Sequence, residues 1–235
     1  MGKTHSNDII GVLGGMGPQA SAEFYRILID KSIKEFDVMN NDEFPEILID
    51  SIPVPDFISN EKNIDVARNL LIDRVLRLYA FGAGVICIPC NTAHILINDF
   101  RSASKVPVVS ILEEMRLVVT RSGYKRVGLF ASPTTLRMNL YDVFNKDVAL
   151  ITPLEDIRKK LDHIIRGVIA GENRQVLQKE LTDLAEPFIK QNQLEALILG
   201  CTELPVISPI NLTIPVISSL DVLADKILSD YFIKN

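Results

Sequence analysis

The sequence predicts an α/β fold of two pseudo-symmetric lobes, each a parallel sheet flanked by helices, with an active site in the cleft between them. Three observations lead there. Short apolar runs without polar alternation recur along the chain, the pattern of strands covered on both faces. Amphipathic, helix-like stretches separate most of these runs. The two halves also carry the same landmarks in the same order.

The strand-like runs are 8–13, 46–50, 84–88, 106–109, 126–131, 148–151, 196–199 and 213–217. Helix-like segments between them include 64–79 and 157–170. "IIGVLGGMGP" has a counterpart in "RVGLFASPTT", which aligns Gly11 with Gly128. "GVICIPCNTA" matches "EALILGCTEL" and aligns Cys90 with Cys201. "KVPVVSILEE" matches "TIPVISSLDV" and aligns Pro107 with Pro215. One such match is weak, because apolar strands look alike. Three in order, at similar offsets, imply a duplicated α/β unit. The cleft between the lobes is then lined by strand C-terminal ends, where open α/β sheets bind ligands.

Composition narrows the function. The chain has 235 residues, 47% hydrophobic, enough for a substantial core. Net charge is −5 with no block of like charges, so no nucleic-acid footprint is expected. No apolar run approaches the roughly 20 residues of a bilayer span, and no membrane partner is expected. The polar start "MGKTHSND" has no signal-peptide core. Gly2 with Ser6 formally fits a myristoylation pattern, but an ordinary polar start is the simpler reading. Three cysteines do not make a disulfide framework, and a reducing cytoplasm is the expected compartment.

Cys90 and Cys201 each follow an apolar strand-like run directly. Asn91 and Thr92, or Thr202 and Glu203, come next and can cap or start a helix. A helix N-terminus offers free N–H groups and partial positive charge. It binds carboxylate and is expected to lower a thiol pKa from its reference of about 8.5. A free cysteine is commonly a small buried hydrophobe. Cys87, inside its strand and matched by Ile198, is read that way. Two cysteines at duplicated strand–helix junctions point instead to a pair of bases. Such a pair suits inversion of a stereocentre: one thiolate removes the Cα proton while the opposite thiol returns one. The two would titrate as a unit. Helix-start N–H groups would stabilise the enolate-like charge.

Other polar groups are weighed beside these. His94 lies one helical turn after Cys90 and is read as a supporting polar residue rather than a metal ligand. No metal site is expected, because no C-x-x-C or H-x-x-x-H spacing occurs. Glu203 either adjusts Cys201 or faces solvent. His5 and His163 are read as surface or packing residues. In "GVLGGMGPQASAE", Gly15, Gly17 and Ala20 fit a loose dinucleotide fingerprint. The acidic partner is missing at roughly 20 residues, since Asp50 lies well beyond that spacing. The better reading is a strand-to-helix turn approaching a small anion. Pro18 sits there at a first helical position, and Met16 presents its N–H and side chain to the cleft.

"IGVLGGMGPQASAEFY", "IPCNTAH" and "LGCTELP" resemble the hallmark segments of the aspartate/glutamate racemase superfamily, in its aspartate racemase branch, nearly end to end. The resemblance implies a cofactor-independent amino-acid racemase, usually a homodimer, acting on a small amino acid. Cys90 and Cys201 would be the acid/base thiols. Met16, Asn91, Thr92 and Thr202 would hold the α-carboxylate and amino group. The resemblance also implies that the C-terminal segment returns to the first lobe, with the "IPVIS" strand of each half completing the opposite lobe. The lobes would then be 1–104 plus 213–235, and 105–212.

The chain also departs from the pattern. Family members acting on aspartate carry arginine where this sequence has Phe57 and lysine where it has Ile169. Without them a buried side-chain carboxylate is left unpaired, which is costly. A less charged substrate side chain is then expected, unless Arg166 or Lys62 compensates. Three alternatives stay open: a maleate-type cis–trans isomerase, in which one cysteine adds to a double bond; a related decarboxylase; and a protein that binds a small carboxylate without turning it over.

Overall fold

A computed structural model of the chain describes residues 9–55, 63–142, 144 and 148–233. Among these residues eight strands form two four-stranded sheets, all neighbours parallel. In the first sheet the order is β2 (Ile47–Ser51), β1 (Ile9–Gly14), β3 (Ala83–Cys87), β4 (Val108–Val109). In the second it is β6 (Ala149–Ile151), β5 (Arg126–Phe130), β7 (Ala196–Leu199), β8 (Val216–Ser218). The same order twice is the duplication written in space.

The apolar runs become strands because both faces are covered. Successive side chains alternate between faces. Ile10 and Val12 of β1 point into a core between the two sheets, with Val127 and Leu129 of β5 and Ala196 and Ile198 of β7. Their neighbours point outward. Leu13 and Ile86 join an outer core under α2 (Ile64–Ala80). Leu197 and Leu199 join another, under α6 (Glu155–Ala170) and α7 (Arg174–Asn192). On α6 the buried residues Leu161, Ile164, Ile165 and Val168 make one helical stripe. Gly171 ends that helix at φ 74°. The duplicated glycines have a packing reason: a Cβ on Gly11 would lie 2.8 Å from Ala83 Cβ, and one on Gly128 2.5 Å from Leu194 Cδ1.

The expected exchange of strands is corrected by the pairing. β4 adds to its own first sheet, Ile86 opposite Val108 and Cys87 opposite Val109. β8 adds to its own second sheet, Ile198 opposite Ile217 and Leu199 opposite Ser218. Residues 108–109 therefore belong with the first sheet and 216–218 with the second, against lobe borders drawn before residues 105 and 213. A short helix returns each run beside the strand it left, α3 (Ile97–Ala103) or α8 (Glu203–Val206), as a crossover does. What meets between the halves is helical. α4 (Ile111–Ser122) leads into the second sheet, and α9 (Ser219–Ile233) packs on α4 and on α1 (Pro18–Phe36). Phe24, Ile27 and Leu28 of α1, Met115 and Val119 of α4, and Leu223, Ile227 and Leu228 of α9 share the central core. Among the described residues no helix is long and apolar enough to cross a membrane.

Candidate active site

Four turns at strand C-terminal ends converge between the sheets. In the first, β1 runs into Gly15 at φ 96°, a conformation that favours glycine. A Cβ there would lie 2.3 Å from Ile52 O. Ser21 Oγ accepts from Gly15 N–H at 2.9 Å and donates to Gly17 O at 3.0 Å, which locks the turn. Gly17 caps α1 and Pro18 opens it. The second-half counterpart has Ser132 as the cap of α5 (Pro133–Arg137), again with a proline opening the helix.

The other two turns carry the cysteines. Cys90 follows β3 and precedes a 3-10 turn, Thr92–Leu96. Cys201 follows β7 and precedes α8. Each cysteine's second following residue reaches the other half's helix-start turn. Thr92 Oγ1 lies 3.0 Å from both Ser132 Oγ and Thr135 Oγ1. Glu203 Oε1 accepts from Gly17 N–H at 3.1 Å. The two halves thus clasp each other reciprocally at the strand ends. Asn91 extends the network: Tyr141 OH donates to its Oδ1 at 2.8 Å, and its Nδ2 donates to Ser219 Oγ at 3.0 Å.

Glu203 dominates the electrostatics. It is 1% exposed, and among the described residues it is the only buried carboxylate, with no Lys or Arg buried beside it. Its Oε2 accepts from Cys201 Sγ at 2.9 Å and from Thr202 Oγ1 at 3.5 Å. Burial raises the Glu203 pKa against the lowering effect of these donors. Burial also pushes Cys90 up to about 12, with Glu203 adding to the rise, while the Thr92 and Ala93 N–H groups oppose it. Cys201 is raised well above its ordinary value by burial and then by Glu203. Charge on Cys90 raises it further, so the two sulfurs feel each other. The expected lowering of the thiol pKa is therefore corrected. At 3% and 4% exposure, the loss of water outweighs the short helix starts.

His94 sits behind Cys90. Ile111 N–H donates to its Nε2 at 3.1 Å, so Nδ1 carries the proton and donates to Cys90 O at 2.8 Å. Burial lowers its pKa to about 4, and it is neutral near pH 7. It ties the cysteine turn to the start of α4.

The structure thus brings Met16, Cys90, Asn91, Thr92, Cys201, Thr202 and Glu203 to the buried strand ends, with His94 behind them. Cys87 is core, its Sγ 3.6 Å from Gly11 O. Asp50, one residue before the end of β2, lies 3.8 Å from Arg74 Nη1. His163 is exposed, and Arg166 pairs with Asp162 on its own helix at 3.1 Å. Gly2, His5, Ser6, Phe57 and Lys62 lie outside the described residues. Ile169 meets the first turn, its Cγ1 3.9 Å from where a Gly17 Cβ would stand. Among the described residues no cluster of His, Cys, Asp or Glu suits a metal ion. Sequence reasoning passed over Gln19, Ser132, Thr135, Tyr141 and Ser219. Ser132 and Thr135 had a signal, since "ASPTT" is the counterpart of the glycine turn. Tyr141 and Ser219 had none.

Fold and site together define a duplicated α/β protein in which two cysteine turns are buried where its halves meet. A family profile described as Asp/Glu/Hydantoin racemase matches residues 13–227. The chain belongs to that family, and with it to the isomerases. It is 27% identical over 224 residues to the broad specificity amino-acid racemase RacX of Bacillus subtilis (strain 168), covering 95% of this chain and 98% of that one. It is also 27% identical over 151 residues to a glutamate racemase of Shewanella woodyi, covering 64% of this chain but only 55% of the relative. Among solved structures, an aspartate racemase homologue from Pyrococcus horikoshii OT3 superposes with a TM-score of 0.78 at 25% identity, covering 94% of this chain and 98% of that one. The Picrophilus torridus aspartate racemase shares the fold, with a TM-score of 0.80 at 24% identity and coverage of 95% and 94%.

Proposed function

We propose that this chain is a cofactor-independent amino-acid racemase that inverts Cα with Cys90 and Cys201 as its two acid/base groups. The observation that carries the reading is the pair of buried cysteine turns, one from each half, with the buried carboxylate of Glu203 accepting from Cys201 Sγ at 2.9 Å and from Gly17 N–H of the other half at 3.1 Å. The Cys201 S–H already points at Glu203 Oε2. Passing that proton to the carboxylate leaves a thiolate without adding charge to the site. An amino acid's ammonium group further favours the thiolate by its positive charge. The thiolate then takes the Cα proton from one face, and Cys90 S–H returns a proton to the other. The reverse direction exchanges the roles. Met16, Asn91, Thr92 and Thr202 hold the α-carboxylate and amino group, taking substrate in place of some present partners. Entry requires the two clasps, Thr92 to Ser132 and Thr135, and Glu203 to Gly17, to part.

The side chain accepted is uncharged. A second carboxylate would be buried beside Glu203 with no buried cation among the described residues to pair it. Ile169 adds an apolar wall near Gly17. The enzyme works as a homodimer in the reducing cytoplasm, where its three free cysteines persist.

Incubation of common L-amino acids with the protein in deuterated water tests this, read by chiral chromatography and mass. Inversion with deuterium at Cα is expected for at least one uncharged amino acid. Cys90→Ala and Cys201→Ala are each expected to lower inversion by about 10³-fold or more, because each removes a proton donor or acceptor the cycle needs. Full activity in either variant overturns the two-base reading. Tight binding without exchange makes the chain a carboxylate binder.

A further inference from the structure

Gln19 is the second residue of α1 and faces the second lobe. Its Nε2 donates to Ile169 O, in the last turn of α6, at 2.7 Å. That bond fixes which way the amide points, because the flipped amide would set two acceptors 2.7 Å apart. Oε1 is therefore the free end. It is buried and has no hydrogen-bond partner among the described residues. A buried acceptor left unpaired is costly, and calls for an explanation at a functional site.

The surroundings of Oε1 supply one. A Cβ on Gly17 would stand 3.6 Å from Gln19 Oε1, 3.2 Å from Glu203 Oε1 and 3.9 Å from Ile169 Cγ1. Gly17 has φ −101°, which any residue adopts, so its backbone does not require glycine. Two acceptors and one apolar surface thus crowd the position beside Gly17, where room for a ligand group opens only as the Glu203–Gly17 clasp parts. They do so beside the carboxylate that holds Cys201. A carboxylate there would meet two oxygens. An apolar group would leave Gln19 Oε1 unpaired. A donating group answers the site, and a carboxamide NH₂ has two donors and no charge.

Resting on the racemase reading above, we infer that Gln19 is a specificity-determining residue that selects substrates whose side chain donates a hydrogen bond, the carboxamide amino acids first among them. Asparagine, aspartate and leucine test this, since their side chains are close in shape and differ in being donor, anion or apolar. Glutamine, glutamate and methionine repeat the test one carbon longer. Cα deuterium exchange gives kcat/KM for each. The carboxamide is expected to exceed both its acid and its apolar analogue by about tenfold or more. Gln19→Leu and Gln19→Met are expected to lower the asparagine-to-leucine ratio by about tenfold, with melting temperatures showing that both variants fold. Three results overturn the inference alone: a preference for the acids, no preference between carboxamide and apolar analogue, or a ratio unmoved by either substitution. Absence of Cα exchange with every amino acid overturns the racemase reading, and this inference with it.

Discussion

In the first half Cys90 is followed by Asn91 and Thr92; in the second, Cys201 is followed by Thr202 and Glu203. Both turns leave a central strand of a parallel sheet, and both send their second following residue across to the opposite helix-start turn. The first clasp is neutral, a hydroxyl among two hydroxyls. The second is a buried carboxylate on a backbone N–H. The supports differ as well, because His94 braces the Cys90 turn from behind while Cys201 bonds Glu203 directly. Duplication supplied two similar scaffolds, and a single residue type at one position made them electrically different. For a reaction needing one thiol and one thiolate, that asymmetry is useful. It distinguishes two sulfurs that the fold alone would leave equivalent.

Breaking the charged side should have the largest effect. Glu203→Gln keeps an acceptor for Gly17 N–H but cannot take a proton from Cys201. It is expected to lower Cα exchange by about 10²–10⁴-fold, as loss of a general base does. Single-turnover exchange kinetics check this, and activity within about twofold of the parent would make Glu203 only a clasp. Making the halves alike from the other direction is also expected to be harmful. Thr92→Glu sets a second carboxylate among Ser132 and Thr135 with no cation buried nearby among the described residues. It is expected to cost about 3 kcal/mol in urea unfolding.

The braces can be compared through pH. His94 titrates at about 4 in the fold instead of its ordinary 6.5. The unfolded chain therefore binds the extra proton between these values. Stability from this group is complete above pH 6.5 and is lost as pH falls towards about 4, by about 3 kcal/mol in all. Glu203, with a raised pKa, acts in the opposite sense: its contribution is complete below its unfolded value and is lost as pH rises through its folded one. Between pH 7 and 4 His94 should pull stability in urea melts downward against the Glu203 rise, and His94→Gln should remove that downward share. An unchanged slope would place the acid sensitivity elsewhere. The smallest effect is expected at the neutral clasp. Thr92→Val leaves Ser132 and Thr135 bonded to each other at 3.0 Å and should lower exchange by about tenfold or less.

Much of this was legible in the chain. The runs at 126–131 and 196–199 differ from their strands by at most one residue, because strands buried on both faces must be apolar throughout. The runs at 106–109 and 213–217 begin earlier than β4 and β8. In each a proline, Pro107 or Pro215, stands before the strand and lacks the N–H, although its carbonyl still accepts, from Ile86 and Leu197 respectively. The equivalent positions of Cys90 and Cys201, each after the third strand of its sheet, were legible because each strand–turn–helix unit is local. Tyr141 on Asn91, Ser219 on Asn91 and Gln19 on Ile169 were not, since those contacts join residues 50, 128 and 150 positions apart.

By itself the sequence determined the class of fold, the duplication and the residues that stand at the strand ends. Those follow from periodicity and from turn chemistry, which act over a few residues. Tertiary structure alone decided which strands stay in their own sheet, that Glu203 bonds both Cys201 and the opposite turn at Gly17, and that burial raises the thiols above rather than below their ordinary pKa. Burial is a property of the assembled halves. Removing water from both sides of the clasp sets the charge balance there, and no local segment carries that information.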